Sequence, residues 1–198
     1  MLDPLEQKLR IPYHLILASA SPRRKQLMEG LGLDFEIQPL NANEDHWPVE
    51  LRAGEVPLYL ASHKSGAWTR ELKENEILIT ADTIVWCQDK VLNKPLNFEE
   101  GRQMLRALSG KMHEVYTAVH LRSKHKSKSF CDCSKVYFKQ LSDDEITYYL
   151  NHYKPYDKAG AYGVQDWIGY IGIEKIEGSF YNVMGLPVKL LYENLLIF

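Results

Sequence analysis

One stretch near the N-terminus constrains the fold most, because an apolar run is followed at once by a serine, a proline and two arginines. Leu15–Ala18 predicts a buried strand, and Ser21 with Pro22 predicts the N-cap and first turn of a helix. Arg23 and Arg24 then add two positive charges where the helix N–H groups already attract anions. Cations are unfavourable there unless an anion compensates them, so the stretch indicates a phosphate site. The alternative is that both arginines extend into water.

Length and composition indicate a globular chain. The 198 residues, 45% apolar and 25% charged, are enough to bury a core without disulfides. A formal net charge of −2 argues against bulk binding of nucleic acid. The three cysteines, Cys87, Cys131 and Cys133, form no zinc-binding pattern and suit a reducing compartment. Residues 1–10 lack the apolar core of a signal peptide, and no run is long enough to span a membrane. We therefore expect a cytoplasmic protein without nucleic-acid or membrane partners.

Periodicity and capping signals predict an α/β protein with the order β-α-β-α-β-β-α-β-β-α-loop-β-α. Ile77–Ala81 is expected to be a second buried strand. Two long hairpin strands, His113–Leu121 and Ser129–Phe138, lie within this pattern, so the sheet should be mixed. The glycine-rich stretch Lys154–Asp166 is interpreted as a functional loop, and Trp167–Ile176 as a strand.

Charged residues recur at the ends of these elements. Besides Arg23 and Arg24, Lys64 is a cation on an otherwise apolar helix stretch, Asp82 follows the second buried strand, and Lys94 precedes a proline. Hydrolysis of a phosphoanhydride needs cations for the phosphates, a carboxylate for a metal and a base for water. Singly, these residues have ordinary explanations: a snorkelling lysine, a turn cap and a surface lysine. Together they predict one polyphosphate site.

Short motifs also follow one another along the chain. They are Ser19–Arg24, Lys64, Ala81–Thr83, Lys94-Pro95, Leu108–His113, Tyr116-Thr117, Asp157–Gln165 and Gly185–Pro187. In this order they resemble the motifs of the Maf family of nucleoside triphosphate pyrophosphatases. The resemblance implies a single Maf-like domain over residues 1–198, with an extension at 1–13. It also implies a mixed, strongly bent β-sheet with flanking helices, forming two lobes around a nucleotide cleft as in inosine triphosphatases.

The resemblance further implies a metal-dependent enzyme that cleaves between the α- and β-phosphates, releasing a nucleoside monophosphate and pyrophosphate. The implied catalytic residues are Asp82, as proton acceptor, and Arg24, Lys64 and Lys94 around the phosphates. For a divalent cation, Mg²⁺ or Mn²⁺, the implied ligand is Asp82, joined by Glu44 from an acidic loop. The expected partner is a nucleoside triphosphate, and a homodimer is one expectation for the assembly.

Four further residues match family positions that bind substrate or select the base: Ser21, Arg23, Thr83 and Gln165. The sequence Ala161–Gln165 is similar to the branch that acts on dTTP and UTP. An amide side chain offers a donor and an acceptor together, which suits the carbonyl and N3–H edge of these pyrimidines.

Some features keep other interpretations open. Asn93 and Asp166 stand where the family commonly has other residues, with glycine common in place of Asp166. Another class of function is a non-catalytic, nucleotide-binding regulator of septum formation. A third is a pyrophosphatase for other non-canonical nucleotides, such as 7-methyl-GTP.

Overall fold

A computed structural model describes residues 11–40 and 46–198 of the chain. Glu44, expected as a metal ligand, lies outside the described residues. The helices and strands are β1 (His14–Leu17), α1 (Pro22–Gly30), β2 (Phe35–Ile37), α2 (Glu55–Gly66), β3 (Glu76–Cys87), β4 (Lys90–Leu92), α3 (Phe98–Leu108), β5 (Met112–Arg122), β6 (Ser127–Phe138), α4 (Asp143–Tyr153), a 3₁₀ turn (Ala159–Ala161), α5 (Trp167–Gly172), β7 (Ile173–Glu177), α6 (Phe180–Met184) and α7 (Val188–Leu196).

The strands form one mixed sheet, as the sequence predicts. Their order is β2-β1-β3-β5-β6-β7, and β4 also pairs with β3. β1 runs parallel to β2 and β3, whereas the pairings of β3 with β4 and β5, β5 with β6, and β6 with β7 are antiparallel. Within the described ranges, no helix combines the length and the apolar character needed to cross a membrane.

The twelve-residue strand β3 organises the sheet and leaves one edge open near its middle. Along one side it pairs with β5 from Leu78 to Trp86. Along the other side, β1 pairs with it as far as Ile79 and β4 pairs with it from Val85 onward. Between these two points, no strand of the described chain covers that edge. The open stretch includes the central Ala81-Asp82-Thr83 sequence.

The prediction that the second buried strand ends at Asp82 is therefore wrong. Asp82 pairs with Ala118 and Thr83 with Thr117, so both polar residues lie inside a continuous ladder. The apolar run that resumes at Ile84 continues the same strand. Partner-strand hydrogen bonds hold the polar residues in the sheet despite their poor fit to a buried strand.

Alternation along β3 sends neighbouring side chains to opposite faces of the sheet. Ile79 and Ala81 pack into the main core, whereas Ile84 packs against Val56 and Leu60 of α2. The side chain at position 82 shares its face with Ile84, and the side chain at 83 lies on the opposite face. Because no described strand covers the edge of β3 beside Asp82 and Thr83, side chains from both faces of the sheet reach one cleft.

The structure also corrects the prediction of a strand at Trp167–Ile176. Residues Trp167–Gly172 form helix α5, and only Ile173–Glu177 is a strand. The first turn of α5 packs closely on the preceding loop: a Cβ atom at Gly169 would lie 1.9 Å from the Val164 carbonyl oxygen. This close approach joins residues five positions apart, and the apolar pattern of the segment does not reveal it.

Candidate active site

A cleft of about 580 Å³ lies at the open edge of β3. It is lined by every predicted site residue in the described part of the chain: Ser21, Arg23, Arg24, Lys64, Asp82, Thr83, Lys94 and Gln165. These residues come from α1, α2, β3, the segment after β4 and the loop before α5. The fold thus brings together residues separated by up to 144 positions in the sequence (165 − 21).

Lys64 and Asp82 form a buried ion pair on the α2 side of the cleft. The Lys64 ammonium donates to the Asp82 carboxylate and, at 3.3 Å, to the Ala81 carbonyl oxygen. The two side chains are only 8% and 9% exposed. Withdrawing both charges from water is costly, and apolar residues of similar volume often serve stability as well or better. The pair is therefore a candidate for function rather than a device for stability.

Arg24 is held in place at the start of α1 by three different acceptors. Its Nε donates to the Gly185 carbonyl oxygen at 2.9 Å, and its two terminal nitrogens donate to Ser19 Oγ at 3.3 Å and Thr83 Oγ1 at 3.2 Å. The N-cap prediction is confirmed here, because the Ser21 hydroxyl accepts from the Arg24 N–H. A guanidinium fixed in this way could bind an anion with little reorganisation.

Behind Thr83, buried polar groups extend into the protein. The Thr83 and Thr117 hydroxyl oxygens lie 3.0 Å apart, and Thr117 donates to the Asn182 carbonyl oxygen at 2.9 Å. The Asn182 amide in turn donates to the Val115 carbonyl oxygen and to Ser134 Oγ, each at 3.0 Å. Thr117, Asn182 and Ser134 are fully buried. The network fixes the hydroxyl that contacts the Arg24 guanidinium.

Arg23 contacts the loop after α4 through a shared carboxylate. Asp157 accepts from Arg23 at 2.9 Å and from Lys158 at 2.8 Å. Burial raises the pKa of Asp157, but the hydrogen bonds from Lys158 and Arg23 outweigh burial and lower the pKa below its usual value. Lys158 also lines the cleft, and the sequence alone gives this cation no role.

Gln165 lies in a turn between the 3₁₀ segment and α5. The turn is closed by the Asp166 N–H, which donates to the Gly163 carbonyl oxygen at 3.0 Å. Gln165 Oε1 is buried and has no hydrogen-bond partner among the described residues. A buried acceptor without a partner carries a desolvation cost, which a ligand donor would offset.

Tyr162 joins the cleft to a buried histidine. The Tyr162 hydroxyl oxygen lies 2.7 Å from His113 Nε2, and both rings pack edge-on against Phe138. Burial lowers the pKa of His113 to about 4. Burial also raises the pKa of Tyr162. Both rings are therefore neutral near pH 7 and act as a rigid wall rather than as charged groups.

Comparison with known proteins decides the family. The sequence model of the family described as Maf-like protein matches residues 14–197. The chain belongs to the Maf family. Maf relatives named "dTTP/UTP pyrophosphatase" include one from Parabacteroides distasonis, 51% identical over 183 residues (92% of this chain, 95% of the relative). Others come from Flavobacterium johnsoniae, 51% identical over 191 residues (96% and 97%), and Porphyromonas gingivalis, 47% identical over 197 residues (98% and 96%). Among solved structures, a HAM1 protein from Coxiella burnetii aligns with a TM-score of 0.43 at 14% identity, covering 65% of this chain and 74% of that one.

The side chains that could act as metal ligands indicate which kind of metal this Maf cleft fits. In residues 11–40 and 46–198, no group of three or more histidine, cysteine, aspartate or glutamate side chains is arranged to hold a metal. Structural zinc needs such a closed set of ligands, whereas Mg²⁺ is commonly held by one or two carboxylates, substrate phosphates and water. Asp82, in a cleft that Arg24, Lys64 and Lys94 also line, fits the second case.

The sequence does not reveal several residues that line or support the Maf cleft. Lys158 belongs to a motif, but the motif does not show that its charge is shared with Asp157. Asn182 has no local signal at all, since a buried asparagine resembles any polar residue on a short helix. Tyr149 follows the apolar pattern of α4, so the sequence does not distinguish it from a core residue.

Proposed function

We propose that the protein hydrolyses dTTP and UTP to the nucleoside monophosphate and pyrophosphate. The observation that carries the proposal is the convergence of Arg24, Lys64, Lys94 and Asp82 on the same cleft as Gln165. The positive charges suit the negative charge of a triphosphate. Gln165 Oε1, which has no hydrogen-bond partner among the described residues, suits an N–H group of the base. The names of relatives that are about half identical in sequence support the same reaction and the same nucleotides.

In the proposed reaction, the cations bind the triphosphate and offset the charge that builds on the leaving pyrophosphate. Arg24 enters the reaction already oriented by Ser19, Thr83 and Gly185, so little reorganisation is needed. Lys94 approaches from the segment after β4. Loss of one preorganised charge of this kind costs on the order of 3 kcal/mol, about a hundredfold in rate.

Asp82 is the proposed proton acceptor for the attacking water. The hydrogen bond from Lys64 to Oδ1 restricts rotation of the carboxylate, and the proposal assigns the second oxygen, Oδ2, to the water. Asp82 and the phosphate oxygens would also hold a divalent cation, Mg²⁺ or Mn²⁺. When bound, this ion supplies positive charge to the phosphates.

Gln165 is proposed to read the base. Its Oε1 would accept the N3–H of thymine or uracil, and its Nε2 would donate to a ring carbonyl. Cytosine in the same orientation would present an unprotonated N3 to Oε1, which would then stay buried without a donor. Ser21, Arg23 and Thr83 complete the proposed substrate-binding set, and a cytoplasmic location and a homodimer stay predictions from the sequence.

The test is product analysis with the purified protein and the Asp82→Asn variant. Each is incubated with a panel of nucleoside triphosphates in Mg²⁺, Mn²⁺ or chelator, and the products are separated. We expect monophosphate and pyrophosphate from dTTP and UTP, dependence on the metal, and a loss of about a hundredfold or more in the variant. Diphosphate with orthophosphate would overturn the assignment. Saturable binding of dTTP without any monophosphate would instead favour the regulator, and preferred cleavage of 7-methyl-GTP the third interpretation.

A further inference from the structure

Tyr149 of α4 places a single hydroxyl beneath the turn that carries Gln165. The residue is fully buried, and its oxygen accepts from the Gly163 N–H at 3.0 Å and donates to Asp166 Oδ2 at 2.7 Å. Burial and the Asp166 carboxylate both raise the pKa of Tyr149, so the hydroxyl keeps its proton. One oxygen therefore joins the first and last residues of the turn.

Two separate sets of hydrogen bonds close the turn. At the backbone, the Asp166 N–H donates to the Gly163 carbonyl oxygen at 3.0 Å. Through side chains, the Gly163 N–H and the Asp166 carboxylate meet at the Tyr149 hydroxyl. Gln165 lies between these closures, so its backbone has little freedom to carry the side chain away from the cleft.

The Asp166 carboxylate is oriented toward this turn and not toward its own helix. Asp166 occupies the N-cap position of α5, yet its side chain accepts no capping hydrogen bond. Aspartate at this position normally accepts from the second or third helical N–H. Here the Asp166 carboxylate instead accepts from the Tyr149 hydroxyl and lies 3.8 Å from the Lys158 ammonium.

Gly163 has no side chain to obstruct this arrangement. A Cβ atom there would lie 2.6 Å from Asp166 Oδ2 and 3.0 Å from Gln165 Nε2. The first distance is shorter than real Cβ contacts allow. Glycine therefore permits the carboxylate and the glutamine amide to pack against the same stretch of backbone.

We propose that Tyr149 is a positioning residue for Gln165: its hydroxyl, through Gly163 and Asp166, holds the turn that presents the Gln165 amide to the base. The inference rests on the proposed function, in which Gln165 recognises the pyrimidine. Tyr149 lies in α4 beneath the loop and acts only through the turn. Its contribution is to base selection, and the phosphate-binding side chains keep their own contacts.

The test is a double-mutant cycle that reads the ratio of kcat/KM for UTP to kcat/KM for GTP. Tyr149→Phe keeps the ring and removes the hydroxyl, and we expect the ratio to fall by about tenfold. In a Gln165→Ala background, the same substitution should change the ratio by less than about twofold, because the group it positions is gone. A merely structural role would lower both activities together in either background.

Tyr153→Phe is the matched control. Tyr153 lies one turn along α4, is 41% exposed and stacks on Tyr149 with ring centroids 5.1 Å apart. The control should leave the ratio unchanged. If Tyr149→Phe fails to fold, Asp166→Ala removes the other end of the same hydrogen bond and must lower the ratio in the same way.

The outcomes separate the two proposals. A wild-type protein that cleaves no triphosphate would refute the proposed function. An active wild type whose ratio is unaffected by Tyr149→Phe, or equally affected with and without Gln165, would refute the positioning role and leave the function standing.

Discussion

The Lys64 ammonium and the Asp82 carboxylate form an ion pair inside the cleft, with both side chains more than nine-tenths buried. The pair links α2 to the middle of β3, where that strand has an open edge. Burying two charges is expensive, and their mutual attraction roughly repays this cost at best. The arrangement therefore makes separate predictions for stability and for activity.

Breaking this pair should destabilise the fold. Lys64→Met leaves Asp82 buried and charged without its partner, and we expect a loss of about 3–5 kcal/mol in the free energy of unfolding. The double variant Lys64→Met/Asp82→Leu should recover most of that loss and remain inactive. Urea unfolding of the two variants measures this. A double variant as unstable as the single one would show that the two charges are not energetically coupled.

Arg24→Lys tests the preorganised guanidinium. Lysine keeps the charge but lacks the planar fork that contacts Ser19, Thr83 and Gly185 at once. We expect kcat to fall by about a hundredfold. The neighbouring variant Lys25→Ala, which removes a side chain that is 53% exposed, should keep wild-type kinetics. Steady-state kinetics on UTP makes the comparison, and full activity in Arg24→Lys would contradict the proposed role.

Gln165→Ala tests base reading on its own. The variant removes the buried acceptor, so kcat/KM should fall for dTTP and UTP by about tenfold or more, and by less for purine triphosphates. Rates across a nucleotide panel provide the measurement. Equal losses for pyrimidines and purines would assign Gln165 a structural task instead.

His113 predicts a pH dependence of stability. Its folded pKa of about 4 lies below the ordinary 6.5, so between these values the unfolded chain binds a proton that the folded protein does not. The free energy of unfolding should fall as the pH drops from 6.5 toward 4, by on the order of 3 kcal/mol, and this contribution should level off below pH 4. Urea unfolding at several pH values tests this. His113→Phe should make the free energy of unfolding less dependent on pH between 6.5 and 4. A variant with the same pH dependence as the wild type would show that His113 is not its source.

The sequence predicted best those features that short segments encode. The predicted N-cap at Ser21 is confirmed, and Ser142 with Glu145 forms a capping box at the start of α4. A cap is a hydrogen bond between residues three positions apart, so nearby residues determine it. The mixed sheet also followed from the order of the predicted elements.

Features that depend on distant partners were predicted less well. Asp82 was expected at the end of a strand, because polar residues normally interrupt buried strands; pairing with β5, more than thirty residues later, keeps it inside the ladder. Trp167–Gly172 was expected to be extended but is helical, because a short apolar run does not by itself distinguish a helix from a strand.

The candidate site shows the same difference between features that short segments encode and features that depend on distant residues. The motifs named the residues that line the cleft, since each motif carries recognisable chemistry. They did not name what holds those residues in place. Arg23 and Asp157 are 134 positions apart, and Tyr149 contacts Asp166 across an intervening loop. Only the folded arrangement brings such pairs together.

The most direct test of the central claim is where water attacks the triphosphate. When the protein cleaves UTP in ¹⁸O-enriched water, we expect the label to enter UMP. The reason is that Asp82 is proposed to activate a water for attack at the α-phosphorus. Mass spectrometry of the separated products gives the answer. Label in UMP, with unlabelled pyrophosphate, is the predicted result; label in pyrophosphate or in orthophosphate would contradict the account.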